Sequence, residues 1–379
     1  MIVPDGITST GWPAVRDTCR NLDIGFDEWQ DGGGRLILAK RADGMYAADT
    51  VVISIPRQVG KTYLIGAIVF ALCVIFPRLT VLWTAHRTRT ADEVFEAMKG
   101  MAARSKMAAH VERVLLGSGK QAVIFRNGSR ILFGARERGF GRGFSGVGVL
   151  VFDEGQILTE NAMDDMVPST NAHPNPLILI VGTPPKPTDP GEVFTMLRQE
   201  ALDGESTELL YIEMSADRGA DLDDRQQWAR ANPSFPHRTS ERALVRMRKN
   251  LSDESFRREA LGIWDEISVH RAVIGAAAWA EMEDAGPDDG VAPAAMAVDM
   301  SHSRHISVAA CWLDGESVHI EEVWAGADAR AAADWVVLRA GRRIPVAIDS
   351  ASPANSLLPV LATAKVRTVQ TRAADMAKA

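Results

Sequence analysis

Three features of this sequence predict an α/β fold. Four short runs, Val51–Ile55, Val81–Ala85, Val147–Phe152 and Leu177–Val181, are almost wholly apolar. Strands covered on both faces of a parallel sheet have that composition, because neither face meets water. Helix-like stretches alternate with these runs, as crossover connections require. Between the second and third runs, Asn127-Gly128 separates two β-prone segments. Asn-Gly tolerates the positive φ angles of a tight turn, so residues 123–133 read as a hairpin. The apolar run Leu64–Phe76 has thirteen residues, short of the ~20 that span a bilayer, and reads as a buried helix.

The 379 residues suggest two domains. With 46% hydrophobic and 24% charged residues, the chain is neither disordered, collagen-like nor a disulfide scaffold. No internal repeat is present. Cys19, Cys73 and Cys311 are scattered, without a CxxC pair, which argues against a zinc site or disulfide framework and suits a reducing cytosol. The N-terminus lacks the basic and apolar regions of a signal peptide. The formal charge of −7 argues weakly against a general nucleic-acid binder. It is unevenly spread: from Lys99 to Val147 there are ten Lys and Arg and two acids, Glu112 and Glu137. That basic stretch suits either DNA phosphate or a subunit interface.

The texture divides the chain into three parts. Residues 1–215 carry the apolar strands. Residues 216–290 are helical and highly charged, interrupted by Asn232-Pro233 and Phe235-Pro236, and end in the linker-like Ala285–Pro293. Residues 291–379 open with strands at Ala295–Asp299, Ile306–Trp312 and Val318–Val323, with Asp314-Gly315 turning the second into the third. A helix at Ala329–Arg339 and a strand at Val346–Asp349 follow. Three antiparallel strands, a helix and a parallel strand make the opening of an RNase H-like α/β domain.

The first chemical motif is Ile55-Pro-Arg57-Gln58-Val-Gly60-Lys61-Thr62, between an expected strand and an expected helix. A P-loop needs that context. Gly60 lets the backbone approach phosphate, Lys61 offsets its charge, and Thr62 offers a hydroxyl to Mg²⁺. Ile55 stands where the usual pattern has its first glycine. The second motif is Val149-Leu-Val-Phe-Asp153-Glu154, an apolar strand ending in two carboxylates, the Walker B pattern. Asp153 would hold Mg²⁺ through water and Glu154 would act as general base. Together the motifs define a RecA/ASCE-like P-loop NTPase. Gly182-Thr183, after the next strand, stands where such folds place a γ-phosphate sensor. The glycine-rich stretch from Gly134 to Gly148 carries Arg136, Arg138 and Arg142, any of which could serve as an arginine finger or contact DNA phosphate.

At this point the ordered set resembles the large subunit of tailed-bacteriophage terminase. The resemblance rests on the altered P-loop 57–62, Asp27-Glu-Trp-Gln30 upstream, Phe152-Asp-Glu-Gly-Gln156, Val181-Gly-Thr-Pro184, and Asp299 and Asp349 downstream. It covers the chain from about residue 20 to the end. It implies an ATPase that drives DNA into the procapsid and an RNase H-like nuclease that cuts concatemeric DNA with two Mg²⁺ or Mn²⁺ ions. It implies that Gln30 reads adenine, that Arg57, Gln58, Gly60, Lys61 and Thr62 surround the phosphates of Mg²⁺-ATP, and that Asp153 helps hold the metal. Glu154 would activate water, Thr183 would couple hydrolysis to movement, and Arg142 best fits the trans-acting arginine before Walker B. The implied partners are double-stranded DNA, the portal of the procapsid, the terminase small subunit and further copies in a ring, in the host cytoplasm and without a membrane.

Asp299 and Asp349 each end an expected strand, and the resemblance makes them metal ligands of the nuclease site, Asp299 bridging both ions. The same resemblance calls for a third acid on a later helix, and after Asp349 the sole carboxylate is Asp375. The chain therefore reads as C-terminally truncated, with nuclease activity impaired. His302 and His305 read as a polar turn between strands rather than metal ligands. The alternative to a packaging motor is a helicase-like DNA translocase, which needs a second RecA-like domain after residue 220.

Overall fold

A computed structural model of the chain describes residues 1–117, 119–136, 139–187, 189–265, 282, 286–287, 290–301, 304–315 and 317–372. It divides into two compact units, Met1–His270 and Arg271–Ala379. In the first, β1 (Ser9–Thr10) and β2 (Ala39–Lys40) form a small antiparallel pair. The main sheet comprises β3 (Thr50–Ser54), β4 (Thr80–Ala85), β5 (Val111–Leu115), β6 (Ala122–Phe125), β7 (Arg130–Ala135), β8 (Val149–Asp153), β9 (Leu177–Gly182) and β10 (Leu209–Glu213). Their order is β10-β3-β9-β8-β4-β7-β6-β5. The strands from β10 to β7 are parallel, and β6 and β5 add an antiparallel edge through the Asn127-Gly128 turn.

The expected apolar strands are present, and their alternation explains why they are apolar throughout. Val51, Ile53, Val149, Val151, Leu177 and Leu179 enter one core, with the helix Lys61–Ile75. Val52, Leu150, Phe152, Ile178 and Ile180 enter another on the opposite face, with Phe194 and Trp264. Successive side chains of a strand point to opposite faces, so a sheet covered twice buries both sets. Each large side chain so buried is worth about 1.5–3 kcal/mol. The helix Lys61–Ile75 is enclosed on every side from Leu64 to Cys73, which accounts for its membrane-like composition. No helix among the described residues is long and apolar enough to cross a membrane.

The charged stretch after residue 216 forms three helices, Arg225–Ala231, Glu241–Asn250 and Asp253–Glu259. Each begins at a side chain that accepts a backbone N–H: Asp224, Ser240 and Ser252. Trp228, Leu244, Phe256 and Leu261 form their small core. This segment belongs to the first unit and returns to the loop after β3. The Ser234 hydroxyl donates to the Val59 carbonyl at 2.8 Å, the Arg57 N–H to the Glu259 carbonyl at 3.0 Å, and Trp264 Nε1 to Ser54 Oγ at 2.9 Å.

The second unit is built on β11 (Ala295–Met300), β12 (Ile306–Asp314), β13 (Ser317–Gly326), β14 (Val346–Asp349) and β15 (Thr368–Thr371), ordered β13-β12-β11-β14-β15. β11–β12 and β12–β13 are antiparallel, whereas β14 and β15 join in parallel. The first four strands and the helix Ala329–Ala340 are those the sequence predicts. β15, and the helical turns Pro353–Leu357 and Leu358–Thr363 before it, were not anticipated. Met296, Val298 and Met300 face the core while Ala297 and Asp299 stand on the open face.

Candidate nucleotide site and acid pair

The parallel strands β3, β9, β8 and β4 end together along one edge, where ligands of open α/β sheets bind. A cavity of about 260 Å³ opens there. Lys61, Thr62 and Arg57 line it from the loop after β3, Asp153, Glu154 and Gln156 from the end of β8, and Thr183 from β9. Thr90 and Glu93 of the helix Thr88–Ala102 close a further side.

The loop after β3 is shaped from behind. The Val59 carbonyl accepts from Ser234, and the Gly60 carbonyl accepts from Gln30 Nε2 at 3.3 Å. The first N–H groups of the helix beginning at Lys61 have no intrahelical acceptor, leaving a donor-rich helix start at the cavity. Gly60 has φ +106°, an angle that strains any residue with a Cβ, and a Cβ there would also crowd Gln30 Nε2 at 3.1 Å.

Asp153 is 5% exposed, and burial raises its carboxyl pKa against the opposing pull of Lys61. Burial lowers the Lys61 pKa, countered first by Asp153. Each thus offsets part of the other's desolvation. Glu154 follows with φ +57° and ψ +53°, left-handed angles uncommon for a side chain with a Cβ. Its Oε2 accepts the His86 N–H at 3.3 Å. Gln156 Oε1 accepts the Thr183 N–H at 3.3 Å, tying β9 to the segment after β8. A Cβ on Gly182 would lie 2.7 Å from that oxygen, which explains glycine before Thr183.

Other expected site residues lie nearby but are engaged differently. Arg57 Nε donates to the Glu259 carboxylate, whose other oxygen is 3.8 Å from Lys186 Nζ. Gln58, with φ +60°, is exposed beside a separate cavity that Arg246 and Asn250 also line. Gln30 is fully buried, and its Oε1 accepts the Asp27 N–H at 3.0 Å. Arg142 is exposed and pairs with Asp165 at 2.8 Å. Arg136 is buried and donates to backbone carbonyls at the end of β8. Arg138 lies outside the described residues, as do His302 and Asp375.

The sequence assigns no role to Glu93 or Glu259, and it shows Gln156 only as the end of the motif that begins at Phe152. Gln156 carried a usable signal, because a buried amide directly after Glu154-Gly155 must find partners. Glu259 carried none, since only folding brings residues 57 and 259 together.

In the second unit Val298 pairs with Ile348 in parallel, so Asp299 and Asp349 occupy the next rung side by side. Both line a cavity of about 460 Å³ with Ser307 and Ser352. Asp349 Oδ1 accepts the Ala351 N–H at 2.7 Å, whereas its Oδ2 is buried without a partner. His305 lies in a tight turn, its N–H bonded to Ser301 Oγ at 3.1 Å. Among the described residues, no group of three or more His, Cys, Asp and Glu is placed to hold a metal.

A strand–loop–helix presenting Lys61 and Thr62, with the end of β8, one strand beyond β9, presenting Asp153 and Glu154, gives the fold of a P-loop NTPase. Residues 52–188 match the family model for the terminase large subunit, T4likevirus-type, N-terminal. The crystal structure of the bacteriophage HK97 large terminase is 16% identical, with a TM-score of 0.72 over 96% of this chain and 85% of that one. At that identity the likeness speaks for the fold. The large terminase ATPase domain of Thermus phage P74-26 is 14% identical over 65% of this chain and 97% of that one, with a TM-score of 0.47. No curated protein matches.

Proposed function

We propose that the first unit binds and hydrolyses Mg²⁺-ATP and that hydrolysis drives double-stranded phage DNA into a procapsid. One observation carries this reading: Lys61, Thr62, Asp153, Glu154 and Thr183 line a single cavity at the carboxyl edge of a parallel sheet. A buried carboxylate beside a half-buried lysine, under a donor-rich helix start, is the set that a nucleotide phosphate with Mg²⁺ requires. Lys61 and the N–H groups after Gly60 would hold the phosphates, and the Thr62 hydroxyl and Asp153 the ion. Glu154 would accept a proton from the attacking water. The bound ion supplies charge neutralisation along the phosphoryl oxygens. Thr183, tied through Gln156 to the segment bearing Glu154, is suited to relay the state of the site to β9. Gln30, behind the loop, is the candidate adenine contact, and exposed Arg142 is the candidate finger for a neighbouring copy.

The second unit is read as a metal-dependent endonuclease. The buried, unpartnered Oδ2 of Asp349 beside Asp299 is an acceptor that a cation would satisfy. Two Mg²⁺ or Mn²⁺ ions would stabilise attacking and leaving oxygens at a scissile phosphate. Asp299 and Asp349 would hold them. The working partners are DNA, a portal, a small subunit and further copies in a ring, in host cytoplasm. A helicase-like translocase calls for a second parallel RecA-like sheet, whereas β11, β12 and β13 are antiparallel.

The test is phosphate release from ATP by the full chain with and without DNA, beside Lys61→Ala. Turnover that survives this substitution would remove the site assignment.

A further inference from the structure

We propose that Arg136 is a positioning residue for Glu154: its guanidinium fixes the peptide from which the glutamate projects. The inference rests on the ATPase reading above. Arg136 follows β7, on the far side of β4 from β8. Its Nη1 donates to the Asp153 carbonyl at 2.8 Å and to the Thr84 carbonyl and hydroxyl at 3.2 Å each. Its Nη2 donates to the Glu154 carbonyl at 3.3 Å. The Thr84 hydroxyl in turn donates to the Val151 carbonyl at 3.1 Å. One planar fork therefore clamps the ends of β7, β4 and β8.

The clamp acts where the backbone is least favourable. Glu154 holds left-handed angles, which a residue with a Cβ keeps only when its surroundings over-determine them. Arg136 binds the carbonyl before the Glu154 Cα and the one after it, so it holds the backbone of Glu154 rather than either carboxylate. Arg136 is buried and its guanidinium is taken up by backbone acceptors, which separates it from the exposed Arg142. A lysine would keep the charge yet lose the fork, because an ammonium cannot span carbonyls on two strands in one plane.

The experiment uses the full chain with Arg136→Gln and Arg136→Lys. ATPγS affinity is measured by calorimetry with Mg²⁺, and kcat and KM by phosphate release. Melting curves establish that each variant is folded. A positioning role lowers kcat at least 100-fold in Arg136→Gln and at least tenfold in Arg136→Lys, with KM and ATPγS affinity within threefold of the unsubstituted chain. Normal kcat in both variants overturns the inference alone. So does a parallel loss of affinity and kcat, or failure of both to fold, since either marks the guanidinium as structural. If Arg136→Gln does not fold, Arg136→Lys decides. Absence of turnover in the unsubstituted chain overturns the ATPase reading, and this inference with it.

Discussion

The two acidic sites of this chain are built on opposite principles. At the end of β8, Asp153 is buried, faces Lys61, and leads into Glu154, whose backbone is held in left-handed angles. Countercharge and hydrogen-bond donors are already in place. At the ends of β11 and β14, Asp299 is exposed and Asp349 keeps a buried oxygen with no partner. The first site supplies its own compensation, and on the proposed reading a phosphate and an ion complete it. The second leaves an acceptor uncompensated, which cations would satisfy on the proposed nuclease reading. Buried charge without a partner is costly, so the difference predicts how each site responds to substitution.

The largest effect is expected at the first site. Lys61→Ala should lower ATP turnover by about 100-fold or more, because a preorganised cation at transferring phosphate is lost. Phosphate-release kinetics measure it, and turnover near the unsubstituted level would erase the contrast. At the second site, Asp349→Asn should abolish Mn²⁺ binding in calorimetry while leaving ATP turnover intact. Without metal the variant should melt no lower than the parent, since the unpartnered oxygen gives no stabilisation to lose. A clear drop in melting temperature would show that Asp349 Oδ2 has a structural partner.

A smaller effect follows from the raised Asp153 pKa. On the proposed reading the ion requires the Asp153 carboxylate. As pH falls through the raised pKa, Asp153 takes up a proton and Mg²⁺-nucleotide affinity is lost. That loss should begin above the ordinary aspartate value of about 3.9. ATPγS titrations at stepped pH should show it, and Asp153→Asn should flatten the profile. The smallest effect concerns the thiols. Cys19 is buried and its pKa is pushed up to about 12, and Cys73 is raised further by burial. Cys311 is partly exposed. A disulfide reagent acting on the native chain should modify Cys311 alone. Rapid labelling of Cys73 would mean that the helix Lys61–Ile75 opens readily.

The sequence made the strands legible because residues such as Val52 and Val51 serve opposite cores and must both be apolar. It made Lys61, Asp153 and Glu154 legible because their chemistry is carried by contiguous residues at strand ends. β10 and β15 escaped notice. Each is a short strand at a sheet edge, and β15 lacks a continuous apolar run. Arg136 was visible only as one of three arginines in a glycine-rich stretch. Nothing local distinguishes a guanidinium that clamps three strand ends from one that reaches outward. That distinction arises from the order β8-β4-β7, a long-range property.

The central claim is that the edge formed by β3, β9 and β8 is an ATP-hydrolysing site with Glu154 as its base. Single-turnover hydrolysis by Glu154→Gln, alongside ATPγS binding, tests it most directly. The expected result is near-normal ATPγS affinity with hydrolysis reduced by about 10²–10⁴-fold, the range of general-base catalysis. Hydrolysis at the parent rate by a variant that still binds ATPγS would contradict it.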